Sequence, residues 1–213
     1  GQGHASISTG TTPAHHGLIS NAWYSKVEKR MVYCAEDTTA MPIGTERGAG
    51  KMSPHRLQSS TITDELELFT QKEAKVIGMS IKDRGAIMPA GHAADGAYWY
   101  ESKTGNFISS DWYMEELPAW VTTFNERKLA DVYLSQTWKP LLPIEEYQES
   151  GPDDVPWESV LSGKDSPTFP YDLASLRKEN GDTRLLPGTP FGNSILAELA
   201  KAAIVGEQLG QDE

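Results

Sequence analysis

The chain has 213 residues, 30 of them Asp or Glu and 19 Lys or Arg, for a formal charge of −11 and a pI near 4.9. That balance excludes a nucleic-acid backbone as the main partner, because such binding draws on a Lys and Arg surplus, yet it leaves room for a small anion held by a local cluster of cations. The one cysteine, Cys34, excludes an internal disulfide. No apolar run approaches the roughly 18 residues of a membrane span.

Residues 1–10 read as a short helix that starts among glycines and stops at Gly10. Thr11 to Gly17 is expected to be a Pro-containing loop, and Arg30 to Cys34 a strand after an Asn-Ala-Trp-Tyr turn. Residues 35–60, rich in Gly, Thr and Ser, read as loop. Thr63 is expected to cap a helix running to about Lys72, with Asp64 and Glu65 in its first turn. The apolar run Val76 to Ile81 predicts a buried, parallel strand, and helix followed by buried strand is the α/β pattern. Ala97–Glu101 and Asn106–Ser109 read as a hairpin across Ser-Lys-Thr-Gly. Leu117–Phe124 and Glu126–Tyr133 read as helices, with Trp120 and Phe124 on one face. The proline-rich stretch 138–170 is expected to be irregular. Asn193 to Leu209 predicts a helix with Ile195, Leu196, Leu199, Ala203 and Ile204 as its apolar stripe and Gly210 as its stop.

Three motifs nearly form and fail. Gly48-Ala-Gly50-Lys51 lacks the Gly at 45 and the Ser or Thr at 52 that a P-loop requires. Gly78-Met-Ser80-Ile-Lys82 ends in Lys where a nucleophile elbow needs Gly, so Ser80 reads as an ordinary strand residue. His92-Ala-Ala-Asp95 and His15-His16 have no partner at a metal-ligand spacing and read as structural.

Two segments carry more. Lys82 and Arg84 follow the predicted strand at its C-terminal end, the edge where open α/β sheets bind ligands. In an extended segment they would share one face, where two converging cations could grip a phosphoryl group, Arg through its planar fork and Lys as a point charge. The competing reading is a pair of solvated charges with Asp83 pairing locally. The glycine-rich start of the first helix presents free backbone N–H groups to an anion; the competing reading is an ordinary glycine turn.

The pieces Gly3-His4, Thr9-Gly10, Pro13, His16-Gly17 and Asn21 lie in the order seen in the nucleophile region of type I phosphodiesterases and nucleotide pyrophosphatases. The stretch resembles more closely still the bacterial alkaline phosphatases that use a threonine nucleophile. Lys82-Asp83-Arg84-Gly85, with Ala90-Gly91-His92 and Trp99-Tyr100, is similar to that family's Lys-x-Arg segment. Trp120, Phe124-Asn125, Trp138-Lys139-Pro140 and Pro190-Phe191-Gly192-Asn193 extend the likeness over nearly the whole chain.

The resemblance implies an α/β fold: part of a mixed, mostly parallel sheet flanked by helices. Residues 1–85 and 191–213 would belong to the catalytic core, and 86–190 to an inserted cap. It implies hydrolysis of small phosphate monoesters through a covalent phosphothreonine at a two-zinc site, with Asn21, Lys82 and Arg84 holding the phosphoryl oxygens. The nucleophilic Thr would precede Gly1, and the zinc ligands would lie outside residues 1–213, so none of these residues is expected to bind metal and the segment alone is expected to be inactive. A periplasmic or secreted location is implied in the same way. Two alternatives stay open: a nucleotide pyrophosphatase or phosphodiesterase, and a noncatalytic anion-binding module.

Overall fold

The computed structural model of the chain describes residues 1–211. It divides into two compact units. The first comprises Gly1–Glu101, Phe107–Glu126 and the chain from Leu196; the second comprises Ser102–Asn106 and Arg127–Ile195.

The first unit opens with helix α1 (Gln2–Thr9), ended by Gly10 at φ 65°, a left-handed backbone that glycine adopts without a Cβ penalty. The expected loop that follows contains a one-turn helix, α2 (Pro13–His16). Pro13 at its first position has a preset φ and no N–H to leave unpaired. The antiparallel hairpin β1 (Ala22–Ser25) and β2 (Arg30–Tyr33) pairs Ala22 with Tyr33, and the Cys34 amide donates to the Asn21 carbonyl at 2.9 Å.

Helix α3 (Ile62–Phe69) begins two residues before the expected position, capped by Thr61 rather than Thr63. The reason is the capping box. The Thr61 hydroxyl accepts from the Asp64 amide at 3.1 Å and the Asp64 carboxylate accepts from the Thr61 amide at 2.9 Å. The Thr63 hydroxyl instead donates to the carbonyl of Pro89 at 2.7 Å, in helix α4 (Asp83–Ala90).

Strand β4 (Ile77–Ser80) pairs in parallel with β5 (Gly96–Glu101), as the apolar run predicted. The sheet is mixed, with strand order β3 (Pro42–Ile43), β6 (Asn106–Ser110), β5, β4; β3 and β6 are antiparallel, and β5 and β6 are consecutive neighbours. Helix α4 is the crossover between β4 and β5. It lies on β4 so closely that a Cβ on Gly78 would stand 2.5 Å from the Ala86 carbonyl and 2.7 Å from the Ala90 methyl. The core gathers around this contact: Ala5, Leu18, Cys34, Ala86, Ile87, Met88, Ala97, Trp99 and Ile108 are buried together. Helix α5 (Ala119–Glu126) adds Phe124, edge-on to Phe107 at 5.9 Å.

The second unit holds α6 (Leu129–Leu134), the short antiparallel pair β7 (Thr137–Trp138) and β8 (Tyr171–Asp172), and the one-turn α7 (Leu173–Leu176). Trp138 stacks on Tyr171 at 4.9 Å, and Phe169 meets both rings edge-on. Between these strands the chain is irregular apart from short 3₁₀ turns, as its prolines imply, and Leu141 and Trp157 are exposed. The last helix, α8 (Phe191–Gly206), starts and stops earlier than its sequence pattern suggested. Ile195, Leu199 and Ala203 are buried, but Ile204 is exposed.

Candidate active site

The strand β4 delivers the chain to Lys82 and the start of α4. The two cations do not share an extended face as alternation predicted, because the backbone turns helical at Asp83: Lys82 is the extended N-cap residue (φ −104°, ψ 136°) and Arg84 lies in the first turn. They remain together at the helix start, where the dipole is positive. Lys82 is exposed and forms no ion pair among the described residues.

Arg84 is held by a residue that sequence reading missed. Its Nη1 donates to the Tyr33 phenol oxygen at 2.8 Å, and the Tyr33 hydroxyl donates to Asp83 Oδ1 at 2.6 Å. The Arg84 amide donates to the same Asp83 oxygen. Burial, then the hydrogen bond to Asp83, push the Tyr33 phenol well above the usual range, so it stays protonated. The hydrogen bond to Tyr33 raises Arg84 further above its ordinary value.

Asn21 reaches the same place from the other side of the hairpin. It stands next to Ala22, the register partner of Tyr33, and its side-chain oxygen lies 2.7 Å from where a Cβ on Gly1 would be. Cys34 Sγ lies 2.8 Å from that point. Arg84, bonded to Tyr33, is thereby tied to the strand end whose next residue, Cys34, lies with Asn21 against Gly1 at the start of α1, and Lys82 stands two residues before Arg84.

That start is unoccupied by side-chain caps. The first intrahelical bond runs from the Ala5 amide to the Gly1 carbonyl, and α1 has no acidic residue in its first turn. The amides of Gln2, Gly3 and His4 therefore point outward as donors.

Of the histidines read as structural, His16 and His92 are packed into the fold, while His15 is exposed and meets the Thr12 hydroxyl at 3.3 Å. His16, fully buried, faces Ser6 Oγ at 3.0 Å through Nε2 and accepts the Leu18 amide at Nδ1. His92 faces Asp64 at 2.9 Å and the Leu57 carbonyl at 2.9 Å. Ser80 lies at the end of β4, its hydroxyl accepting from the Lys82 amide. Gly48–Gly50 is a 3₁₀ turn. Among the described residues no group of three or more His, Cys, Asp or Glu is arranged to hold a metal ion, and no helix is long and apolar enough to cross a membrane.

Residues 2–169 match the family described as type I phosphodiesterase / nucleotide pyrophosphatase. The chain belongs to that family. It is 45% identical over 213 residues to the alkaline phosphatase PafA of Elizabethkingia meningoseptica, covering 99% of this chain and 39% of that one. It is 46% identical over 209 residues to the alkaline phosphatase PhoV of Synechococcus elongatus, covering 98% and 38%. A third relative, 46% identical over 210 residues with 99% and 38% coverage, is called a calcium-transporting ATPase, from Myroides odoratus. The crystal structure of wild-type PafA superposes with a TM-score of 0.95, covering 99% of this chain and 41% of that one. A solved variant of PafA carries substitutions of one threonine, one asparagine, one lysine and one arginine, the asparagine 21 residues after the threonine and the arginine two after the lysine. The chain thus spans about two fifths of the length of these relatives.

Proposed function

We propose that the protein to which this chain belongs hydrolyses phosphate monoesters, and that this segment supplies the grip on the phosphoryl group. The observation that supports the reading is that Arg84 is bonded to Tyr33, whose neighbour Cys34 lies with Asn21 against Gly1 at the start of α1, and that Lys82 stands two residues before Arg84. A monoester presents a dianionic phosphoryl group with three free oxygens. The Arg84 guanidinium meets it with directed donors, Lys82 with a point charge and Asn21 with an amide. Such preorganised donors stabilise charge on the nonbridging oxygens as the transferring group passes through its transition state. A diester replaces one of those oxygens with an ester group, for which two cations are a poor match.

Two relatives named as alkaline phosphatases support the reading. So does the PafA variant. Asn21, Lys82 and Arg84 repeat its substituted residue types with the same lysine–arginine separation; the asparagine and lysine are 61 apart here and 62 there. At the same spacing, the threonine that we propose as nucleophile would stand immediately before Gly1. That threonine, a phosphothreonine intermediate and two zinc ions complete the proposal, with residues outside this chain supplying nucleophile and metal ligands. The described residues offer no metal-ligand set, so the role assigned to them is confined to binding and orienting the ester. A periplasmic or secreted location belongs to the same proposal.

The second reading, a phosphodiesterase or nucleotide pyrophosphatase, is favoured by the description of the family itself. Kinetics of the full-length protein on nitrophenyl phosphate and on its diester analogue separate the two. The monoester reading expects the larger kcat/KM on nitrophenyl phosphate; a preference for the diester overturns it. Acid trapping of a labelled phosphothreonine during monoester turnover tests the covalent step.

A further inference from the structure

Asp83 is a carboxylate adjacent in sequence to Arg84, the guanidinium assigned above to the phosphoryl group. A direct ion pair between them would neutralise the cation and turn its donors away from an incoming anion. That pair is absent among the described residues. The Asp83 Oδ1 is instead occupied twice, by the Tyr33 hydroxyl at 2.6 Å and by the Arg84 backbone amide. Tyr33 has one proton to give, and it gives it to Asp83. Its oxygen lone pairs then face Arg84, whose Nη1 donates to them at 2.8 Å. The guanidinium carbon lies 5.8 Å from the Tyr33 ring centroid, so the ring also flanks the cation. One of five N–H donors of Arg84 is spent on the phenol, which fixes the plane of the fork, and the remaining edge stays available. Tyr33 is itself fixed: it ends β2 in register with Ala22, next to Asn21, and its amide donates to Glu36 Oε2 at 3.2 Å.

We propose that Tyr33 is a positioning residue that separates Asp83 from Arg84, holding the guanidinium oriented and out of a direct ion pair for the dianionic phosphoryl group. The inference rests on the monoesterase reading above, in which Arg84 touches the substrate and Tyr33 acts through it. Tyr33→Phe removes the hydroxyl and keeps the ring. The Asp83 carboxylate then loses its phenolic donor and turns to the nearest cation, Arg84. Loss of orientation and loss of effective charge act together on monoester binding and turnover.

The test is a cycle of variants in the full-length protein, read on nitrophenyl phosphate and by inhibition with inorganic phosphate. Tyr33→Phe is expected to lower monoester kcat/KM by about fivefold and to weaken phosphate inhibition by a similar factor. The same change on an Arg84→Ala background is expected to add nothing, because the residue it positions is gone. Tyr33→Phe combined with Asp83→Asn is expected to recover most of the loss, since the competing charge has been removed; a role in packing alone predicts no such rescue. Full additivity of Tyr33→Phe with Arg84→Ala, or failure of Asp83→Asn to rescue, overturns the positioning role. A null effect of Arg84→Ala itself overturns instead the underlying assignment of Arg84 to the phosphoryl group, so the two failures are distinct.

Discussion

His92 Nδ1 stands 2.9 Å from Asp64 Oδ2, which joins the turn after α4 to the first turn of α3. Asp64 is a hub. It accepts the amides of Thr61 at 2.9 Å, His92 at 2.6 Å and Ala93 at 2.9 Å, and Gly91 at φ 78° makes the approach possible. A side chain at Gly91 would collide with Thr61 and Asp64. Removing the carboxylate leaves the buried Thr61 amide and the half-buried amides of His92 and Ala93 without this acceptor. Asp64→Ala is therefore expected to cost about 3 kcal/mol, read from the urea midpoint at constant m. A loss below about 1 kcal/mol would show that water replaces the carboxylate.

The same carboxylate gives stability a pH dependence. Burial alone would raise Asp64, but the hydrogen bonds from His92 and from the amides of Thr61 and Ala93 outweigh it and hold the carboxyl below its ordinary 3.8. A depressed folded-state value means that the contribution is present above the unfolded value and is lost as the pH falls through the folded one. Between pH 6 and pH 3 the wild-type protein should therefore lose more stability than Asp64→Asn. Parallel curves for the two proteins would remove Asp64 as the source.

For the site, Lys82→Ala and Arg84→Ala in the full-length protein are each expected to reduce monoester kcat/KM by more than about tenfold, roughly 1.4 kcal/mol of transition-state stabilisation. Diester hydrolysis should fall less. Arg84→Lys should not restore the loss, because an ammonium cannot both bind Tyr33 and present a fork. Unchanged monoester kinetics in both alanine variants would sink the assignment.

Gly1 is a second lever on the site. A methyl there would stand 2.7 Å from the Asn21 side-chain oxygen and 2.8 Å from Cys34 Sγ, so one of them must move. Asn21 is the exposed neighbour and Cys34 the buried one. Gly1→Ala is expected to lower monoester kcat/KM by about tenfold with a small change in stability. Gly48→Ala, where a Cβ meets nothing within 4 Å, is the matched control.

Gly78→Ala tests the platform rather than the site. Its methyl would press on the backbone carbonyl of Ala86, which cannot rotate away as a side chain can. Overpacking of this kind costs about 1–3 kcal/mol, and the upper end is expected because the obstacle is backbone. A wild-type denaturation midpoint would mean that α4 slides on β4 without penalty.

Parts of this arrangement were legible in the sequence, and the reasons are local. The run from Val76 marked β4 and its parallel pairing, but the strand Ile77–Ser80 is half-buried along its length rather than buried as expected. Gly10 marked the end of α1 because only its backbone tolerates the left-handed turn cheaply. The cap of α3 was misplaced because Thr61 and Thr63 are both good caps; only the reciprocal bond with Asp64 three residues on selects Thr61. The face shared by Lys82 and Arg84 was misread because the helix begins between them. Tyr33 carried no local signal at all. Its bond to Asp83 spans 50 residues and its bond to Arg84 spans 51, and they exist because β2 pairs with β1 and α4 leaves β4 beside them. Resemblance supplied Asn21, whose side chain approaches Gly1 only through tertiary packing.

The burial of Cys34 gives the molecule a built-in reporter. Its thiol is closed off from solvent, and that burial, more than the charges around it, keeps the thiolate scarce. Alkylating reagents therefore reach it only when its surroundings open. Because Cys34 shares its surroundings with Gly1 and Asn21, the rate of its modification measures how often this corner, to which we assign the phosphoryl group, breathes open, without any substrate present.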